Sequence, residues 1–186
     1  MKRALGFAIV ITLLAIPVVA QQLQAPGPDN SIKVGEVAPD FAIPAAQRGQ
    51  PAGSLKDFQG KKNVLIMFFP AAFSPGCTTE FTQAGIHFDK FTALDIELIG
   101  ISRDQPFALN AFKTSVGAKN TFVSDLEYVI APKYGASNPN RGMLRYYFLV
   151  DKAGKIVWKD TSNRVLETDK MAADLAQVLK SGNQGF

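Results

Sequence analysis

The chain has 186 residues, of which 47% are hydrophobic and 19% are charged, and its net charge is +4. This composition excludes wholesale disorder, a collagen-like repeat and a multi-span membrane protein, and it indicates one globular domain. A single cysteine excludes an internal disulfide framework and a cysteine-based zinc site, and a single histidine argues against a metal site with several histidines. The small net charge gives no indication of nucleic-acid binding.

The first twenty residues have the pattern of a signal peptide. Two basic residues follow Met1, residues 4–16 are mostly apolar, and small residues precede a junction after Ala20. Because the apolar stretch is shorter than the roughly 20 residues that span a bilayer, cleavage is favoured over an uncleaved anchor. We therefore expect export to the periplasm or beyond. Residues 21–32, with two prolines and a glycine, are predicted to form a flexible leader.

Strands and helices alternate in the predicted domain, residues 33–186. Residues 63–69 form a continuous apolar run, which is typical of a central strand buried on both faces. Residues 95–102 form a second predicted strand. The segment between them, 78–94, has apolar residues near one face and is predicted to be a helix.

The next predicted helix covers residues 105–116, with Asp104 as its N-cap and Pro106 near its first position. A short strand is predicted at 121–123.

A hairpin and a helix complete the predicted domain. Strands at 144–150 and 155–159 flank the turn sequence Asp-Lys-Ala-Gly, and a helix covers 166–179. A β-α-β start followed by a hairpin and a helix is the order of a thioredoxin-like core. The predicted fold class is therefore α/β, with a central mixed β-sheet flanked by helices.

The most informative segment is FPAAFSPGCTTE at 69–80, between the first long strand and its helix. Cys77 opens this helix, where the helix dipole and unpaired amide groups favour the thiolate. Ser74 could direct its hydroxyl at the sulfur or at an incoming oxygen substrate. Pro70 and Pro75 stiffen the loop, and Pro70 is expected to shield one side from water. The alternative is a buried cysteine that acts as a small hydrophobe, which a proline-bracketed loop accommodates poorly.

The spacing of Pro70, Ser74 and Cys77 resembles the peroxiredoxin signature: Pro, three residues, Thr or Ser, two residues, Cys. Other segments resemble the same family in the same order over most of the predicted mature chain. They are GEVAPDF at 35–41, GIS and DQPF at 100–107, SD at 124–125 and RYYFLVD at 145–151.

The resemblance implies that Cys77 is the peroxidatic nucleophile and that Pro70, Ser74 and Arg145 complete its pocket. The thiolate would attack one peroxide oxygen, while a hydroxyl and a guanidinium polarise the O–O bond and stabilise charge on the leaving oxygen. Glu80 matches a position at which the family often keeps an acid that orients this arginine. An equally simple interpretation is that Glu80 stabilises the helix dipole.

Three other charged or titratable residues are not expected to take part in the chemistry. Arg103 and Arg141 are predicted to be surface arginines, ranked below Arg145 as anion-binding groups. His87 is predicted to be packed or solvated rather than catalytic.

The implied function is a one-cysteine, thiol-dependent peroxidase that reduces hydrogen peroxide or organic hydroperoxides. Thr82 stands where some bacterial members carry a second cysteine, so a Cys77 sulfenic acid would need an external thiol or a redoxin as reductant. The resemblance implies no metal, haem or flavin cofactor. It is compatible with a homodimer formed through sheet edges or through loops near the site.

The alternative is an exported thioredoxin-like redox or binding protein without peroxidase turnover. A disulfide oxidoreductase of this fold would need a second cysteine where Glu80 stands. A copper-delivery module would need a second cysteine and a suitably placed histidine.

Overall fold

The structure is a computed structural model that describes residues 29–45 and 52–182. The predicted signal peptide at 1–20 lies outside these residues, as does most of the predicted leader. Its described end, residues 29–32, packs against the domain: Ser31 is buried, and the Asp29 carboxylate lies 2.7 Å from Lys159 Nζ. Lys159 and Ser31 lower the pKa of Asp29 to about 2, against the opposing effect of burial.

The elements alternate as a doubly covered sheet requires. In chain order they are β1 (Ala42–Ile43), β2 (Gly53–Ser54), a 3-10 helix (Leu55–Phe58), β3 (Asn63–Phe68), α1 (Pro75–Ile86), α2 (Phe88–Thr92), β4 (Ile96–Ser102), α3 (Pro106–Ser115), β5 (Thr121–Ser124), α4 (Ala131–Tyr134), β6 (Ser137–Asn138), β7 (Gly142–Met143), β8 (Tyr147–Val150), β9 (Ile156–Asp160) and α5 (Thr168–Gly182).

The central sheet has five strands in the order β5-β4-β3-β8-β9. β3, β4 and β5 are parallel, whereas β8 runs antiparallel to both β3 and β9. The prediction of a mixed sheet flanked by helices is thus confirmed.

The apolar run in β3 is buried on both faces, as predicted. Because side chains alternate across a strand, Leu65 and Met67 face one core while Val64 and Ile66 face the other. The first core includes residues of α1, α3 and α5, and the second includes Tyr134 of α4. β3 is therefore held rigidly, and its C-terminal end is a fixed point for the loop that follows.

The predicted single helix at 78–94 is wrong: the structure has two helices there, α1 and α2. α1 begins at Pro75, because a proline at the first position loses no helical hydrogen bond. The interruption falls at His87, whose backbone leaves the helical region at φ −96° and ψ 12°. His87 Nδ1 lies 2.8 Å from Thr168 Oγ1 at the start of α5, so a tertiary contact coincides with the break.

The start of α3 differs in one respect from the prediction. Pro106 occupies the first turn as expected, but Gln105 rather than Asp104 is the N-cap. The Asp104 carboxylate instead accepts hydrogen bonds from the Ala72 amide and the Ser102 hydroxyl, both at 2.7 Å. Both donors bond to Oδ2, which directs the carboxylate towards Ala72 and Ser102.

The hairpin is confirmed, although its first strand begins later than predicted. β8 starts at Tyr147 rather than at 144, and the Arg145 amide donates to Asn163 Oδ1 at 2.7 Å. The second strand is Ile156–Asp160 instead of 155–159. No helix among the described residues is long and apolar enough to cross a membrane.

Candidate active site

The loop at 70–74 connects the C-terminal end of β3 to α1, whose first turn contains Cys77. Phe73 in this loop has a left-handed backbone, φ 62°, which is unusual for a residue other than glycine. Its ring packs edge-on against Phe112 at 5.3 Å between centroids. Cys77 itself is 0% exposed, so the reactive group predicted from the sequence lies beneath the surface.

Arg145 lies against this sulfur, as the resemblance implies. Its Nη2 donates to Cys77 Sγ at 3.0 Å, although 68 residues separate the two in sequence. Gly76 lies beside this contact, and a Cβ at that position would meet Arg145 Nη2 at 3.4 Å, an ordinary van der Waals distance. The cysteine therefore has the first turn of a helix and a guanidinium beside it.

Glu80 orients the guanidinium from the other side. It lies one turn after Cys77 in α1, is 1% exposed, and accepts a hydrogen bond from Arg145 Nε at 3.0 Å. The predicted contact between Glu80 and Arg145 is present, whereas Glu80 lies beyond the first turn of α1, the turn in which a dipole-stabilising acid would stand. A third residue, Tyr147, donates its hydroxyl proton to the second carboxylate oxygen of Glu80.

Burial and the contacts within the network together shift the pKa values of Glu80, Arg145 and Tyr147. It raises the pKa of the Glu80 carboxyl, although the Tyr147 hydrogen bond and the Arg145 charge oppose the rise. Burial alone would lower the pKa of Arg145, but Glu80 and Cys77 raise it above its usual value, so the guanidinium stays charged. Burial and the adjacent Glu80 also raise the pKa of Tyr147, which keeps the phenol protonated and able to donate.

Ser74 and Pro70 are placed less directly than the sequence suggests. Ser74 is the N-cap of α1, and its hydroxyl donates to the Ala71 carbonyl at 3.0 Å rather than to Cys77. Such local hydrogen bonds are common for serine in turns and at helix starts. Pro70 is exposed at a bend two residues after the end of β3, and its role in shielding one side of Cys77 from water stays a prediction.

Comparison with known proteins places the chain. The sequence profile of the AhpC/TSA family matches residues 34–159. The chain belongs to this family. Peroxiredoxin Bcp of Escherichia coli K12 is 32% identical over 134 residues, which are 68% of this chain and 84% of that protein. A putative peroxiredoxin bcp of Haemophilus influenzae is 31% identical over 157 residues, 81% of this chain and 99% of that protein.

Solved peroxiredoxin structures share the fold. A reduced 2-Cys peroxiredoxin of Plasmodium vivax superposes with a TM-score of 0.70 at 26% identity, covering 81% of this chain and 98% of that one. Peroxidoxin BcpB of Mycobacterium tuberculosis has the same TM-score at 23% identity, and the match covers 78% of this chain and 97% of that one. The predicted thioredoxin-like fold and the peroxiredoxin resemblance are therefore confirmed.

The other candidates in this AhpC/TSA family member have the ordinary roles expected of them. Arg141 is exposed, and Arg103 is exposed with its guanidinium 4.6 Å from the Tyr128 ring centroid. His87 is packed against Thr168. Within the described ranges, no group of three or more acidic, histidine or cysteine residues is placed to hold a metal ion.

Three residues that contact the site or its loop are not indicated as such by the sequence. Tyr147 lies in the quoted segment RYYFLVD, but nothing in that segment indicates that its hydroxyl meets Glu80. Asp104 was interpreted as a helix cap, and Asn163 has only its left-handed backbone, φ 58°, to distinguish it. Neither the family resemblance nor a local pattern indicates these contacts, so only the folded structure identifies them.

Proposed function

We propose that the chain is a thiol-dependent peroxidase that reduces hydrogen peroxide or organic hydroperoxides through Cys77. The observation that carries the proposal is the 3.0 Å contact between Arg145 Nη2 and Cys77 Sγ in the first turn of α1. A cation and a helix N-terminus at one sulfur both favour the nucleophilic thiolate. Membership of the AhpC/TSA family and relatives named peroxiredoxin support the same reaction.

In the proposed reaction, the Cys77 thiolate attacks one peroxide oxygen, so that an S–O bond forms while the O–O bond breaks. The sulfur is oxidised to a sulfenic acid and the peroxide is reduced to water or an alcohol. The leaving oxygen takes the electron pair of the O–O bond and then a proton. Arg145 stabilises the charge that develops on this oxygen.

Ser74 has a more specific role in this scheme than the sequence indicates. Its single proton is donated to the Ala71 carbonyl, which leaves the lone pairs of its oxygen free to accept the O–H of a peroxide. Ser74 would then orient the substrate, while Arg145 supplies the electrostatic stabilisation.

Regeneration requires a thiol from outside the chain, because Cys77 is its only cysteine. The sulfenic acid would condense with a small thiol or a redoxin cysteine, releasing water and forming a mixed disulfide. A second external thiol would then free Cys77. Within the described ranges, no contact favours the alternative of a redox or binding protein without turnover.

Two further features belong to this proposal. The signal-like pattern at 1–20 supports export after cleavage before Gln21, and N-terminal sequencing of the exported protein tests it. Phe73 is 55% exposed and Phe107 is 74% exposed; these exposed aromatic side chains support a homodimer, and sedimentation of the reduced protein tests it.

Rapid mixing of the reduced chain with hydrogen peroxide tests the main proposal. We expect Cys77 to react at least about 10²-fold faster than free cysteine, because one preorganised charge can contribute that factor. Cys77→Ser should keep its circular dichroism spectrum and consume no peroxide. A wild-type rate near that of free cysteine, or turnover by Cys77→Ser, would contradict the proposal.

A further inference from the structure

Tyr147 is a buried tyrosine whose hydroxyl points at the active site rather than at solvent. It is the first residue of β8, is 0% exposed, and donates to Glu80 Oε1. The phenolic oxygen also lies 3.1 Å from the carbonyl oxygen of Arg164. A tyrosine needed only to fill the core would not require a hydroxyl that meets a buried carboxylate.

The contacts of Glu80 connect this tyrosine to the cysteine. One carboxylate oxygen accepts from Tyr147 and the other accepts from Arg145 Nε at 3.0 Å. Arg145 in turn places Nη2 3.0 Å from Cys77 Sγ. The four side chains therefore form an unbroken series of hydrogen bonds from β8 to the reactive sulfur.

We propose that Tyr147 is a positioning residue, which holds the Glu80 carboxylate so that Arg145 stays directed at Cys77. The inference rests on the proposed peroxidase function, and it adds a residue that touches neither the sulfur nor the peroxide. Hydrogen bonds to charged groups are about twice as strong as neutral ones. Loss of the Tyr147 hydroxyl therefore leaves the Glu80 carboxylate less firmly held, and its hydrogen bond to Arg145 becomes weaker.

The backbone after β9 supports the same geometry. Asn163 Oδ1 accepts from the Arg145 amide at 2.7 Å, and Arg164 supplies the carbonyl beside the Tyr147 hydroxyl. Two adjacent residues of one loop thus contact both the backbone of Arg145 and the side chain of Tyr147. Arg145 and Tyr147 are two residues apart in an extended segment, so their side chains are directed to the same side.

The ionisable groups of this network are Cys77, Glu80, Arg145 and Tyr147. Burial raises the pKa of Glu80, and the Tyr147 hydrogen bond opposes this rise. Without that bond, Glu80 takes up a proton at a higher pH and releases Arg145. The other ionisable groups lining the cleft of about 300 Å³ beside Glu80 are His87, Glu167 and Asp169.

Tyr147→Phe, compared with Tyr134→Phe, tests the inference in the full chain. Both tyrosines are fully buried, and Tyr134 donates its hydroxyl to the Pro39 carbonyl at 2.6 Å in the other core. Each variant keeps its ring and loses the hydrogen bond that its hydroxyl donates. We expect Tyr147→Phe to slow Cys77 oxidation by hydrogen peroxide about tenfold or more. Tyr134→Phe should react at the wild-type rate.

The pH dependence of Cys77 alkylation by an uncharged reagent separates positioning from a general loss of stability. We expect the pH midpoint of alkylation to move upward in Tyr147→Phe and to stay at the wild-type value in Tyr134→Phe. Equal oxidation rates and equal midpoints in the two variants would overturn the inference. If wild type itself does not react with peroxide, the proposed function fails instead.

Glu80→Gln provides a second route to the same conclusion. Because Tyr147 is proposed to act through Glu80, the double variant Tyr147→Phe/Glu80→Gln should react about as fast as Glu80→Gln alone. Independent, multiplying losses in the double variant would contradict the inference. This comparison remains decisive even if Tyr147→Phe is less stable than expected.

Discussion

Three separate contacts fix Arg145 beside the reactive sulfur. Glu80 accepts from Nε, Cys77 Sγ lies 3.0 Å from Nη2, and Asn163 accepts from the backbone amide. An arginine with so little freedom can stabilise a developing oxyanion without first reorganising. The catalytic contribution assigned to Arg145 depends on this preorganisation and not on its charge alone.

Arg145→Ala should slow sulfenic acid formation by about 10²–10³-fold, which corresponds to about 2.7–4 kcal/mol of transition-state stabilisation. Arg141→Ala is the matched control, because Arg141 is an exposed arginine four residues earlier. Stopped-flow measurement of Cys77 oxidation distinguishes the two variants. A large loss in Arg141→Ala, with little change in Arg145→Ala, would show that the wrong arginine has been assigned.

The sequence predicted the residues gathered around Cys77 better than the residues that support them. Cys77, Arg145 and Glu80 were identified by motif resemblance, and the structure brings their side chains together. Ser74 was identified too, but its hydroxyl bonds to Ala71 because a local carbonyl was available. Tyr147 could not be predicted, because neither the family resemblance nor a local pattern indicates its contact with Glu80.

At the scale of elements, hydrogen bonds through Asp104 connect the end of β4 to the loop at 70–74. The Asp104 carboxylate holds the Ala72 amide and the Ser102 hydroxyl, and the Asp104 carbonyl accepts from Ser124 Oγ. These bonds connect the ends of two parallel strands, β4 and β5, to the loop that precedes Cys77. Phe73, which has a left-handed backbone, directly follows Ala72 in this loop.

Asp104→Ala should slow Cys77 oxidation several-fold and lower the free energy of unfolding by about 1–3 kcal/mol, because it leaves the Ala72 amide unpaired. Asp104→Asn retains an acceptor oxygen and should restore most of the rate. The expected control is Asp125→Ala, which removes three backbone hydrogen bonds at α4. Asp125→Ala should lower stability and leave the oxidation rate of the folded protein unchanged.

Stopped-flow kinetics and denaturant unfolding on the same samples check this prediction. If Asp104→Ala oxidises as fast as wild type, the bond to Ala72 serves stability alone and does not position the loop.

Element prediction succeeded where periodicity was strong and failed where tertiary contacts intervened. The apolar run of β3 and the hairpin of β8 and β9 follow from local pattern. The break at His87 does not, because it coincides with a contact to Thr168 from the distant α5. α4 was missed because only four residues form it and the Asp125 carboxylate, rather than helical propensity, satisfies its first amides.

At the scale of the whole molecule, the single cysteine of the chain is buried. Cys77 is 0% exposed, so two active sites cannot bring their sulfurs together without opening the structure around α1. An oxidised Cys77 has no second thiol in its own chain with which to condense. The sulfenic acid should therefore persist until an external thiol arrives, or be oxidised further to the sulfinic acid.

Intact-mass spectrometry after one equivalent of hydrogen peroxide, without reductant, tests the central claim most directly. The account predicts a monomer that gains one or two oxygens at Cys77, no such gain in Cys77→Ser, and renewed turnover when a dithiol or a reduced redoxin is added. An unchanged wild-type mass, oxygen located at residues other than Cys77, or a dominant dimer linked through Cys77 would contradict it.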